Sequence, residues 1–180
     1  MLTKSWIVTI ACGLGLGLLL AQGCGPPVGG PCDAQGHCVC NAGDLCVFDC
    51  PTEHDCDIAC DSVDRCDAAC VDRCQLGCQS GTDCVLDCQH DCNIDCDSVS
   101  TCDASCGDRC QYRCHGASDC AVELGHDGAA VCESVGTCEV RCVGACEVTC
   151  ISTGSCDVQC AGGAAVDCGD GRRVCAPQAC

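Results

Sequence analysis

The chain has 180 residues, and 32 of them are cysteine; 26 acidic residues stand against 8 lysines and arginines. Tryptophan, tyrosine and phenylalanine occur once each, which excludes a conventional core of large side chains and leaves disulfide bridges to replace it. The acidic balance also excludes binding to nucleic-acid phosphates and electrostatic attachment to anionic lipid.

The first 23 residues have the pattern of a secretory signal peptide, which we expect to be helical. Lys4 precedes an apolar run from Trp6 to Ala21 that is short for a transmembrane helix. The run continues into Leu20-Ala21-Gln22-Gly23-Cys24, which resembles a bacterial lipobox. In that family a peptidase cuts before the cysteine, whose thiol then carries diacylglycerol. The resemblance therefore implies a signal peptide of residues 1–23 and lipidation at Cys24, and an ordinary signal peptide cleaved nearby is the alternative.

Cysteine parity agrees with lipidation at Cys24. If Cys12 leaves with the signal peptide and Cys24 carries lipid, an even number of thiols remains, and these can all pair. Residues 24–45 follow as a Gly- and Pro-containing tether and an N-terminal cap. Exported cysteines meet an oxidising environment, so disulfides are expected. Gly25 differs from the aspartate that retains lipoproteins at the inner membrane, so the resemblance implies the outer membrane or the cell surface, with the membrane as the partner.

A cysteine recurs every 18 residues from Cys60 to Cys168. Units such as Cys138-Glu139-Val140-Arg141-Cys142 alternate inward and outward positions, which is strand periodicity. A helix with cysteine at every fourth position is the rival interpretation, and the Gly, Ser, Val and Thr residues disfavour it. Residues 46–168 are therefore predicted to form an all-β, disulfide-rich β-solenoid of 18-residue coils with two short strands per coil, and residues 169–180 a C-terminal cap.

Two columns of apolar residues are predicted to point into this solenoid. One column holds Ala68, Leu86, Ala104, Val122, Val140 and Val158, and the other holds Leu76, Ile94, Tyr112, Ala130, Val148 and Val166.

One coil lacks two cysteines, since Leu124 and Gly128 stand where other coils have pairs such as Cys70 and Cys74. Their joint loss indicates that these two positions bond to each other, and the remaining cysteines of each coil then pair over a wider loop. The predicted short bridges are Cys50–Cys56, Cys70–Cys74, Cys88–Cys92, Cys106–Cys110 and Cys142–Cys146. The predicted wider bridges are Cys46–Cys60, Cys66–Cys78, Cys84–Cys96, Cys102–Cys114, Cys120–Cys132, Cys138–Cys150 and Cys156–Cys168. The partners of Cys32, Cys38, Cys40, Cys160, Cys175 and Cys180 stay open, with Cys175 or Cys180 as the candidates for Cys160.

A longer period of 36 residues overlies the first, and it makes the short turns alternate in charge. His54, Asp72, His90, Asp108 and His126 form one predicted ladder, and Asp55, Arg73, Asp91, Arg109 and Asp127 form the next. The histidines would lie two strands, or about 10 Å, apart, which is too far for two of them to share an ion. They are weak metal candidates, and ion pairing with the aspartates is favoured. No cofactor is expected.

No catalytic motif is present in the sequence, so we expect no enzyme activity. The whole chain resembles the cysteine-rich repeat lipoproteins of myxobacteria and related bacteria through its lipobox and its Cys-x-Val-x-Cys units. The resemblance implies a location in the cell envelope and no particular activity. We expect a non-enzymatic, lipid-anchored structural or surface protein. The alternatives are an envelope binding module for glycan, divalent metal or a protein partner, and a secreted toxin or inhibitor.

Overall fold

The computed structural model describes residues 32–33, 35–50, 55–177 and 179–180, and every regular element in these ranges is a β-strand. The predicted signal peptide, Cys24, most of the tether before residue 32, and His54 lie outside the described residues. The strands are β1 (His37–Cys40), β2 (Gly43–Asp49), β3 (Asp57–Asp61), β4 (Val63–Asp72), β5 (Gln75–Gln79), β6 (Asp83–His90), β7 (Asn93–Asp97), β8 (Thr101–Asp108), β9 (Gln111–His115), β10 (Asp119–Leu124), β11 (Gly128–Glu133), β12 (Thr137–Cys142), β13 (Cys146–Ile151), β14 (Ser155–Cys160), β15 (Gly163–Ala164), β16 (Val166–Gly169) and β17 (Arg172–Cys175).

The strands form two sheets whose inward side chains are buried together in one core. Odd-numbered strands from β1 to β13 follow one another in the first sheet, and even-numbered strands from β2 to β14 follow one another in the second. Each coil contributes one strand to each sheet, and the coils stack into a β-solenoid of about 7 turns. The predicted disulfide-rich solenoid with two strands per coil is confirmed.

Neighbouring coils stack in strict register. Through most of the solenoid each residue lies beside the residue 18 positions later, as Cys78 lies beside Cys96. The first coil is two residues longer, since Cys40 lies beside Cys60 and Cys46 lies beside Cys66. Because the repeats are identical in length elsewhere, equivalent positions fall into columns along the solenoid axis.

Both ends of the solenoid differ from the prediction. Strand β1 already lies in the first sheet, so residues 37–45 belong to the first coil and not to a tether or cap. Strands β15, β16 and β17 run antiparallel to their neighbours, so the parallel stack ends at Cys160. Val166 was predicted to be the last inward residue but is 52% exposed, whereas Val174 is 1% exposed. The physical reason is the reversal of chain direction, which removes β16 from the parallel register.

The other predicted inward residues occupy the interior, where all are buried except Ala104 and Val158, which are partly buried. A third inward column, which the sequence analysis missed, lies in the longer turns. Its members are Val63, Val99, Ala117 and Val135, each at most 5% exposed, with Gly81 in the remaining coil. A Cβ on Gly81 would lie 2.9 Å from the carbonyl oxygen of Val63. The available signal was a valine that recurs every 36 residues within an otherwise polar turn. In this column a large side chain on one coil alternates with a small one on the next.

The bridges across the short turns agree with the sequence. The structure has Cys50–Cys56, Cys70–Cys74, Cys88–Cys92, Cys106–Cys110 and Cys142–Cys146. Two bridges then fasten the C-terminal cap, Cys160–Cys175 and Cys168–Cys180.

The prediction of wider bridges was wrong. None of the seven predicted pairs forms, because each of these cysteines has another partner. The pairs that do not form are Cys46–Cys60, Cys66–Cys78, Cys84–Cys96, Cys102–Cys114, Cys120–Cys132, Cys138–Cys150 and Cys156–Cys168. The observed pairs across the five-residue turns are Cys40–Cys46, Cys60–Cys66, Cys78–Cys84, Cys96–Cys102, Cys114–Cys120, Cys132–Cys138 and Cys150–Cys156, and Cys32–Cys38 precedes them. Each turn returns the chain at once to the facing strand, so the next cysteine along the sequence is the nearer partner.

In the coil without a short bridge, the Leu124 side chain fills the part of the core that a disulfide occupies in the other coils. Its side chain is 0% exposed and is among the largest fully buried side chains. A Cβ on Gly128 would lie 3.2 Å from the Leu124 Cβ, which is tighter than an ordinary contact. Leucine and glycine therefore form a matched pair, in which the absent side chain at position 128 makes room for the one at position 124.

Tyr112 should resist ionisation while the protein is folded. Its hydroxyl lies in the core, where it donates to the Cys102 carbonyl oxygen at 3.3 Å, and burial raises the pKa of Tyr112. The folded state therefore loses stability as pH rises above about 10, the ordinary tyrosine value, because only the unfolded chain ionises there. We expect no tyrosinate absorbance within seconds of mixing to pH 11, and full absorbance in reduced, alkylated protein. Since the sequence contains 1 Tyr, immediate ionisation of the folded protein would contradict this placement.

Candidate functional surfaces: the charged turns and the acidic face

In four successive short turns the last residue has a left-handed backbone conformation and carries a charge. These residues are Arg73, Asp91, Arg109 and Asp127, with φ between 53° and 57°. Their N–H groups donate to carbonyl oxygens of the next coil, as from Arg109 to His126 at 2.7 Å. Inter-coil hydrogen bonds of this kind hold a conformation that costs a non-glycine residue about 1–2 kcal/mol. The turns are consequently rigid, and their side chains project at fixed spacing.

Together with Asp55, these four residues form the charged ladder. Arg73 Nε lies 2.8 Å from Asp55 Oδ1, and Arg109 binds Asp91 through two hydrogen bonds of 2.7 and 2.6 Å. The hydrogen bond from Arg109 holds the pKa of Asp91 below its usual value, and Asp91 raises the pKa of Arg109. The predicted stacking of unlike charges is thus present. Each exposed ion pair of this kind contributes little to the free energy of unfolding. We infer that the pairs instead favour the correct register between neighbouring coils, since a shifted register would place like charges side by side.

His90 and His126 lie in the same turns, on every second coil. His90 is in register with Asp72 on one side and Asp108 on the other, and the His126 backbone N–H donates to Asp108 Oδ1 at 2.9 Å. That backbone hydrogen bond is the main cause of the lowered pKa of Asp108. In the part of the chain that the structure describes, neither histidine belongs to a group of three potential metal ligands within 4.8 Å.

On the longer turns, Asp97 and His115 form a further pair between coils. His115 Nδ1 lies 3.1 Å from Asp97 Oδ1, and this hydrogen bond, followed by one from the Ser98 hydroxyl, lowers the pKa of Asp97. A lowered carboxyl pKa stabilises the fold above about pH 3.9, the value in the unfolded chain, and the contribution is lost as pH falls through the folded value.

The Asp97→Asn variant tests this pair through its pH dependence. We expect it to unfold more easily than the parent at pH 5.5, and the difference to shrink as pH falls to 2.5. Thermal unfolding in guanidinium measures both proteins at each pH. Asp61→Asn is the matched control, because Asp61 occupies the same column beside uncharged Gln79. A pH-independent difference for Asp97→Asn, or the same trend in the control, would refute the assignment.

The outward side of the second sheet carries a regular array of carboxylates, here called the acidic face. Asp67, Asp103 and Glu139 stand at mid-strand on every second coil, and pairs flank that column on the coils between them. The flanking pairs are Asp83 with Asp87 and Asp119 with Glu123. From Asp67 to Glu139 the mid-strand carboxylates therefore repeat about every 9.6 Å along the axis, with flanking rows about 13 Å apart. Asp157 then lies directly beside Glu139 on the next coil. The 36-residue period was the available signal for this array, since Asp67, Asp103 and Glu139 are themselves 36 residues apart.

The acidic face contains a shallow depression where the small residue Ala121 lies between Asp103 and Glu139. Arg141 lies at its side and binds Glu123 through a 3.1 Å contact. Among the described residues no charged side chain is buried. This depression and the charged ladder therefore offer water-exposed contacts.

The described part of the chain contains no helix long and apolar enough to cross a membrane. Comparison with known proteins gives no match to a family model, to a curated protein or to a solved structure.

Proposed function

We propose that the protein is a non-enzymatic structural or surface protein of the cell envelope, attached to the outer membrane or cell surface by lipid on Cys24. The observation that carries the proposal is cross-linking of every coil in the described solenoid, from the Cys32–Cys38 bridge to the Cys168–Cys180 bridge. At about 4.8 Å per coil, 7 coils make a rod about 34 Å long. Such a rod resists unfolding and proteolysis, and its charged faces keep it soluble.

Lipidation at Cys24 is tested by metabolic labelling with an alkyne fatty acid in a bacterial host. We expect label on the parent chain and none on Cys24→Ser. Cys12→Ser is the matched control, because position 12 lies in the predicted signal and its loss should leave labelling unchanged. Labelling of Cys24→Ser at the parent level, or an unlabelled parent that is nevertheless exported and oxidised, would overturn the anchor.

A binding module is the second candidate, and the acidic face favours it. A rigid sheet with carboxylates at fixed separations suits a cationic partner with a matching repeat, or divalent ions held between neighbouring coils. Calorimetry with calcium compares the parent with an Asp103→Asn/Glu139→Gln variant. A heat of binding that the variant loses supports this function. Identical traces for the two proteins would refute a calcium site at Asp103 and Glu139.

A further inference from the structure

The sulfur atoms of three successive short bridges lie close enough to exchange partners. The sulfurs of Cys50, Cys70 and Cys74 all lie within 4.8 Å of one another, and so do those of Cys74, Cys88 and Cys92. Cys74 therefore belongs to both groups. We name Cys50–Cys56, Cys70–Cys74 and Cys88–Cys92 the sulfur ladder. We propose that it acts as an internal thiol–disulfide exchange relay, in which a thiolate formed at Cys50 passes through Cys74 to the Cys88–Cys92 bridge.

The relay begins when local opening of the first coil admits an external monothiol of the glutathione class, which attacks Cys56; in the closed fold Cys56 is 3% exposed. A mixed disulfide forms on Cys56, the Cys50–Cys56 bond breaks, and Cys50 leaves as a thiolate with the bonding electron pair. Cys50 then attacks the sulfur of Cys70. The Cys50–Cys70 bond forms, the Cys70–Cys74 bond breaks, and Cys74 becomes the thiolate.

In the next step Cys74 attacks one sulfur of the Cys88–Cys92 bridge and releases the other as a thiolate. Each exchange forms one disulfide and breaks one, so the number of bridges stays constant and no oxidant is consumed. A near-attack distance is about 3–3.5 Å, so small rotations about χ1 bring these sulfurs into range. The sulfurs are buried, with Cys74 and Cys88 each 1% exposed, and burial in apolar surroundings keeps thiolates scarce. Exchange should therefore take minutes to hours.

The chain contains its own barrier to the relay. Leu124 and Gly128 occupy the bridge position between Cys106–Cys110 and Cys142–Cys146, so these two bridges lie two coils, or about 9.6 Å, apart. Thiolates cannot cross that gap by direct attack. Exchange that continued beyond the sulfur ladder to Cys106–Cys110 would therefore stop before the Leu124 coil.

The test uses Cys56→Ser, which leaves Cys50 as a thiol in an otherwise oxidised chain. After incubation at pH 8.5 for times up to hours, free thiols are trapped with iodoacetamide and located by peptide mass spectrometry. We expect label to move from Cys50 to Cys74, Cys88 and Cys92 while a Cys50–Cys70 peptide accumulates.

The control is Cys56→Ser/Cys70→Leu/Cys74→Gly, which copies the natural Leu124 and Gly128 pair into the ladder. Here we expect label to stay on Cys50, and circular dichroism checks that both variants are folded. Label confined to Cys50 in folded Cys56→Ser would overturn the relay. Links to Cys142 or Cys146 would also overturn it, because they would indicate general scrambling.

Folded parent protein treated with one equivalent of isotopically labelled glutathione gives a second measurement that needs no substitution. The relay predicts glutathione on Cys56 together with the Cys50–Cys70 link. Glutathione on Cys56 with an unpaired Cys50 after hours would again contradict it.

Discussion

Reduction of the disulfides is expected to unfold the entire solenoid. Bridges that close loops this short contribute about 2 kcal/mol each in the chain-entropy model, so the loss of five removes about 10 kcal/mol. A whole domain is typically stable by about 5–15 kcal/mol. Few core side chains are larger than valine, so apolar burial cannot compensate for the lost bridges. In the described chain these side chains are Phe48, Ile58, Leu76, Leu86, Ile94, Tyr112 and Leu124.

Far-UV circular dichroism and amide hydrogen exchange measure this loss after reduction and alkylation. Alkylation without reduction is the control and should leave both signals unchanged. Cys70→Leu/Cys74→Gly should remain folded, because it loses one bridge and gains a pairing that the chain already uses. A fully reduced protein with native exchange protection would show that the bridges are dispensable.

Leu124→Ala should be the most destabilising single substitution in the coil that lacks a short bridge. Deleting a fully buried leucine side chain usually costs about 2–5 kcal/mol, because it leaves a cavity as well as losing apolar burial. Gly128→Ala should cost about 1–3 kcal/mol for the opposite reason, since the new methyl group presses against Leu124. Guanidinium unfolding followed by circular dichroism measures both free energies.

Val143→Ala is the matched control, because Val143 is 48% exposed in the corresponding turn of the next coil and should change stability by less than about 0.5 kcal/mol. Leu124→Cys/Gly128→Cys should form an additional bridge, seen in the intact protein as a mass two hydrogen atoms lower than that of the same variant with these two thiols free. A Leu124→Ala variant as stable as Val143→Ala, or two free thiols in the double variant, would contradict the conclusion that Leu124 and Gly128 replace a disulfide bridge by apolar packing.

The cysteine spacing was sufficient to predict the solenoid because it is a local property of the chain. A period of 18 residues with apolar residues midway between cysteines leaves room for two strands and two turns per coil. The joint absence of cysteine at positions 124 and 128 was likewise sufficient to predict the short bridges. Val63 and Val135 were missed because their turns are polar in composition, and only the path of the backbone directs them inward.

The bridges across the five-residue turns could not be predicted from the sequence. Cys78 has Cys66 and Cys84 as candidates, and both pairings use every repeat equally well. No coil lacks one of these cysteines, so no substitution distinguished the two schemes. The five-residue turn resolves the choice by bringing Cys84 directly to Cys78, with 6.4 Å between their Cα atoms.

By itself the sequence determined the fold class, the coil length, the two main inward columns and the alternating charges, since each follows from a period measured along the chain. Tertiary structure alone decided the pairing across the five-residue turns, the antiparallel cap beyond Cys160 and the contact between successive bridges. These depend on which residues approach one another after the chain has turned, and a distance in space cannot be read from a period in sequence.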